Sequence, residues 1–82
     1  MIHIFDDYYI EANMPLYEYN VWKKTYSNYE FLGCAETFTE ALDKLRERAF
    51  LREINNNDYE VNEALLIYGD IGEKIDAKKE FY

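Results

Sequence analysis

The apolar residues of this chain change their spacing once, at Thr37. Before that point they alternate, and after it they recur every three to four residues. A period of two belongs to a strand with one buried face, and a period near 3.6 to a helix with one buried stripe. Strands should therefore come first and helices last.

In "LYEYNVWKKTY" the alternation is explicit. Tyr17, Tyr19 and Val21 share one face; Glu18, Asn20 and Lys24 share the other, with Trp22 among them. Pro15, the only proline, sits in the turn-like "ANMP" ahead of it. Before the turn, "IHIF" and "DYYIEA" read as one extended segment interrupted near Asp6–Asp7. After "SNYE", a turn, "YEFLGCAE" reads as a third strand, ended or bulged at Gly33. Three short sequential strands predict an antiparallel meander.

"TFTEAL" then carries a capping box, with Thr37 as N-cap and Glu40 three residues on. Phe38, Ala41, Leu42, Leu45 and Ala49 follow as one stripe, and Phe50, Leu51 and Ile54 fall off it. "NNND" stops this helix, and Asp58 is placed to cap the next. There Val61, Ala64, Leu65, Tyr68, Ile71, Gly72 and Ile75 form a second stripe. Gly69 and Gly72 each weaken a helix interior by about 1 kcal/mol relative to alanine, so a break near Gly69 is open. The expected fold is α+β: an antiparallel three-stranded sheet in β-β-β-α-α order, with two antiparallel helices packed on one face. It forms a single domain over residues 1–82.

Such a chain buries only about 60–65% of the surface exposed on unfolding. With 49% apolar residues and 18% aromatic, it can still fill a small core. Of its nine tyrosines, six lie in "YYIEANMPLYEYNVWKKTYSNYEF", residues 8–31, with the only tryptophan. Alternation predicts that most of this run lines the inside of the sheet. Trp22 is the aromatic left over for binding.

Seventeen acidic residues against nine basic leave a net charge of −8. That balance opposes direct nucleic-acid binding, which rests on neutralising phosphates, and opposes anionic membranes. The aromatic run with Lys23 and Lys24 has the outline of a base-stacking platform. Asp6, Asp7, Glu11, Glu18, Glu30 and Glu36 around it would repel a phosphate backbone. The single Cys34 allows no internal disulfide and is expected to be a small buried hydrophobe. With no leader-like start and no apolar run near the roughly 18 residues a span needs, the expectation is a cytoplasmic protein.

Catalytic candidates are few: His3 near the N-terminus, Ser27 in a turn and Cys34 in a strand. No base and orienting group accompany a nucleophile, so the chain is expected not to be an enzyme. No glycine-rich phosphate loop is present, and no cofactor is implied. "NNNDYEVNE" resembles a calcium loop but has Glu60 where that loop requires glycine, so no metal site is expected.

Surface remains. Opposite its apolar stripe, the second helix sets Glu63, Asp70, Glu73 and Glu80 within about 100° of arc, bordered by Leu66 and Ile67. Such a face is either solvated or an acidic strip that meets a basic partner. Leu66 is the residue expected to be exposed. Phe50, Leu51 and Ile54 either close the corner between the helices or form an apolar patch, with the corner favoured for Phe50 and Ile54. The partner-binding candidates are thus Glu63, Leu66, Asp70, Glu73 and Trp22.

Three stretches together carry a resemblance: "DDYYIEA" before an aromatic strand ending in lysines, "GCAETFTEALDKL", and "NNNDYEVNEALLIYGDI". The chain resembles small uncharacterised accessory proteins of phages and mobile elements of Gram-positive bacteria. That resemblance implies an inhibitor of host defence or replication machinery, of the anti-CRISPR type, acting in the host cytoplasm. Its protein partner would be a basic nucleic-acid-handling enzyme such as a CRISPR effector, blocked by occlusion or DNA mimicry. The alternative is a structural or regulatory module that self-associates, for example as a homodimer through open sheet edges.

Overall fold

A computed structural model of the chain describes residues 1–79. Strands β1 (Ile2–Phe5), β2 (Tyr8–Asn13), β3 (Glu18–Lys24) and β4 (Tyr29–Ala35) precede helices α1 (Phe38–Asn56) and α2 (Val61–Lys79). The strands form one antiparallel meander in the order β1-β2-β3-β4. Both helices cover the same face, α1 over β3 and β4, α2 over β1 and against α1. Phe50 meets Tyr68 and Arg46 reaches Gly72, so α2 runs back antiparallel to α1.

The sheet has four strands where the sequence predicts three. The interruption at Asp6–Asp7 is a tight hairpin, closed by Phe5 opposite Tyr8. Asp6 adopts a left-handed φ of 46°, which aspartate tolerates better than most residues. His3 Nε2 donates to the Asp6 carbonyl at 2.7 Å and steadies the turn. The expected break at Pro15 is a single 3-10 turn, Met14–Leu16, ended by Tyr17 at φ 51°. Tyr17 therefore sits outside β3 and is 78% exposed, not in the core. Tyr19 and Val21 do face the helices, and Val21 is fully buried. The anticipated bulge is present: the β3–β4 register shifts between Val21 and Trp22, leaving Leu32 extra beside Gly33, whose φ is 150°.

Thr37 caps α1 as predicted, its Oγ1 accepting from the Glu40 N–H at 3.1 Å. Asn57 closes the other end, donating from Nδ2 to the Glu53 carbonyl at 3.1 Å. Ala41, Leu42, Leu45 and Ala49 of the predicted stripe are buried against Ile4, Phe5, Tyr8, Ile10 and Val21. Phe38 and Phe50 pack at the margin of this core. Phe50 sits edge-on to Tyr68 and so belongs to the corner between the helices; Ile54 is half-buried and Leu51 is exposed.

In α2 the outcome is divided. The first intrahelical bond runs from the Ala64 N–H to the Glu60 carbonyl, so the helix starts after Glu60 and Asp58 lies upstream of it. The helix then continues unbroken through Gly69. Ile71, Gly72 and Ile75 are buried, but Val61 and Leu65, expected in the same stripe, are 76% and 65% exposed. The reason is length. At this end the strands stop at Phe5, Tyr8, Lys24 and Tyr29, and the helix residues that line the cleft beside the β1–β2 turn reach only as far as Asn56 of α1 and Ile67 of α2, so Val61 and Leu65 lie beyond it. Among the described residues, no helix is long and apolar enough to cross a membrane.

Candidate interaction surfaces

The outer side of α2 carries the first candidate surface. Glu63, Leu66, Asp70 and Glu73 are all exposed there, as the helical spacing predicts, and Leu66 is 75% exposed. Asp70 Oδ2 pairs with Lys74 Nζ one turn on, at 3.3 Å. Exposed pairs of this kind contribute little to stability, and this one partly offsets the local negative charge. Glu80 lies outside the described residues.

Trp22 is not part of that surface. It points from the sheet face that the helices leave open, on the opposite layer. Cross-strand register explains its company. His3 pairs with Tyr9, Tyr9 with Trp22, and Trp22 with Phe31, so one aromatic row crosses all four strands. The rings meet tilted or edge to face: His3–Tyr9 at 5.0 Å, Trp22–Phe31 at 5.2 Å, and Tyr9–Tyr29 of the neighbouring rung at 5.7 Å. Below the row, Glu11 Oε1 accepts from Trp22 Nε1 and from Asn20 Nδ2, both at 3.2 Å.

This arrangement overturns the expectation that residues 8–31 mostly line the inside of the sheet. Of that run's tyrosines, only Tyr8 and Tyr19 face the helices. Tyr9 and Tyr29 join Trp22 and Phe31 outside, while Tyr17 and Tyr26 are exposed off the strands. Cys34 is likewise exposed, not buried. It pairs with Asn20, whose side chain is on the open face, so register carries Cys34 to that face too. Gly33 signals a bulge in this segment, but only the pairing with β3 shows that the extra residue is Leu32 and that the parity beyond it carries Cys34 outward.

A third feature is a cleft of about 420 Å³ where the β1–β2 turn meets both helices. Asp6, Asp7, Lys23, Arg52, Glu53, Asp70 and Lys74 ring it, with Tyr8 in its wall. Arg52 and Lys74, two of its three cations, are already engaged. Both terminal nitrogens of Arg52 bond one Glu30 oxygen, at 3.0 and 3.1 Å, and Lys74 holds Asp70 while approaching the Phe5 ring. The cleft therefore reads as a charged seam that closes the domain. Among the described residues, no group of three or more His, Cys, Asp or Glu is placed to hold a metal ion.

Burial pushes the Tyr8 phenol above its ordinary range; Asp6 adds to the shift and Arg52 opposes it. A raised folded-state value means that the native state holds the proton more tightly than the unfolded chain. The stabilisation is complete below about pH 10 and is lost as pH rises beyond it. Urea unfolding of wild type and Tyr8→Phe between pH 8 and 11 checks this. Wild type should lose stability relative to the variant only above about pH 10, and a difference that does not change with pH would refute it.

Comparison of the chain with protein-family models, with curated proteins and with solved structures found no match.

Proposed function

We propose that this chain is a small acidic protein that inhibits a nucleic-acid-handling defence enzyme, as anti-CRISPR proteins do, by covering a basic groove. The observation that carries this reading is the outer face of α2, where the 75%-exposed Leu66 stands among Glu63, Asp70 and Glu73. An apolar anchor ringed by like charges suits a partner whose groove is basic and has an apolar floor. The net charge of −8 steers the approach.

The spacing of these carboxylates favours occlusion over DNA mimicry. From Glu63 to Glu73 is ten residues, or about 15 Å along the helix. Duplex DNA carries a charge every 1.7 Å or so of its axis. Three carboxylates over that length, one of them paired with Lys74, are far too sparse to imitate a phosphate lattice.

Affinity capture from a bacterial lysate with mass spectrometry, at low and high salt, tests the reading. Wild type should recover a nucleic-acid-binding enzyme at low salt. Both high salt and the triple variant Glu63→Lys, Asp70→Lys, Glu73→Lys should release it. Recovery of no such protein at either salt, or equal recovery by the variant, would sink the idea.

Self-association is the second reading, favoured by the exposed Val61 and Leu65 beside Leu66. Sedimentation of a strict monomer at high concentration would remove it.

A further inference from the structure

We propose that the open face of the sheet docks an extended, arginine-bearing segment of a partner protein, with a guanidinium lying on Trp22 and reaching Glu11. This site lies on the layer opposite α2 and does not rest on the reading of that helix.

Three observations converge. First, the His3–Tyr9–Trp22–Phe31 row lies on a side of the sheet that, among the described residues, neither helix covers. The His3–Tyr9 and Trp22–Phe31 contacts, at 51° and 68°, are tilted or edge to face and not flat stacks. A guanidinium within about 6 Å of an aromatic ring face is attracted by the ring quadrupole. The chain makes this contact internally, with Arg46 Cζ 4.0 Å from the centre of the Tyr68 ring.

Second, the carboxylate beside the row is held in place. Both bonds to Glu11, from Trp22 and Asn20, land on Oε1, so Oε2 keeps its acceptor capacity for a cation lying over the indole. Register puts Glu18, one rung further along, on this same side.

Third, charge selects the ligand. Lys24 and His3 are the basic side chains of this face, and His3 is bonded to the Asp6 carbonyl. Within a chain of charge −8, that is too little to attract a phosphate backbone, whereas a cation is drawn in. Length selects the form of the ligand. Four strands at about 4.8 Å spacing make a row about 14 Å wide, longer than one side chain and suited to an extended segment crossing the strands.

Trp22 is the only tryptophan, so the site reports on itself. The full chain is titrated at low salt with a Gly-Arg repeat peptide, a Gly-Lys repeat of equal charge and an oligothymidylate of equal length, following indole fluorescence. A saturable change is expected with the arginine peptide, at least several-fold tighter than with the lysine peptide, and none with the oligonucleotide. Glu11→Gln should weaken arginine binding by about tenfold, and Phe31→Ala, on the edge strand, should weaken it several-fold. The Glu63→Lys, Asp70→Lys, Glu73→Lys variant should bind as wild type. Absence of a saturable change would overturn the proposal, as would equal binding by both Glu11→Gln and Phe31→Ala, or loss of binding in the α2 variant. A saturable response to the oligonucleotide would reassign the face to base stacking.

Discussion

Leu45→Ala is expected to destabilise the protein by about 3–5 kcal/mol. Leu45 is fully buried in the middle of α1, within the cluster that joins that helix to the sheet and to α2. Deleting its branched end loses the transfer free energy of the methyl and methylene groups and leaves a cavity that close-packed neighbours fill only in part. A chain of this length is held by roughly 4–12 kcal/mol in total. One such substitution should therefore lower the melting temperature by more than about 10 °C. Leu65→Ala is the control. Leu65 has the same chemistry and lay in a predicted apolar stripe, but it is 65% exposed, so its loss should fall within about 0.5 kcal/mol. Thermal and urea unfolding measure both. Equal effects would mean that the start of α2 is docked, contrary to the structure.

The second large effect sets two glycines of α2 against each other. At Gly72 an added Cβ would lie 2.5 Å from Arg46 Nη2 and 2.6 Å from its Cζ. That guanidinium has two contacts to lose. It lies over the Tyr68 ring at 4.0 Å and donates to the Tyr68 carbonyl at 3.3 Å, while Tyr68 packs edge-on against Phe50. Gly72→Val should push Arg46 out of this slot; because the guanidinium ends a flexible side chain, the cost is chiefly the lost ring contact and the Tyr68 bond, about 1 kcal/mol. Three residues earlier, a Cβ on Gly69 meets nothing within 4 Å. Gly69→Ala should therefore stabilise α2 by roughly 1 kcal/mol, through backbone entropy and helix propensity alone. Opposite signs from two glycines in one helix are the expected result in urea unfolding. A stabilising Gly72→Val would show that Arg46 can leave its slot at little cost.

The candidate surfaces differ in how legible they were. The face carrying Glu63, Leu66, Asp70 and Glu73 could be read from the sequence because a helix maps spacing onto direction by itself. The aromatic row could not. His3, Tyr9, Trp22 and Phe31 become neighbours only through three separate strand pairings, and each pairing has its own turn and register. In the sequence Glu11 is only one of several charges that repel a phosphate backbone; its bonds to Trp22 and Asn20 exist because β2 and β3 pair as they do.

The order of strands before helices, the Thr37 cap and the buried stripe of α1 were determined by the sequence itself. Each rests on periodicity or on a hydrogen bond spanning a few residues, which a short window contains in full. The number of strands, the exposure of Tyr17 and Cys34, and the undocked start of α2 were decided by the tertiary structure alone. These depend on where a turn takes a left-handed residue, on the register in which the bulged strand pairs, and on where the sheet ends beneath two longer helices. Those are relations between distant segments, and no local pattern of residues records them.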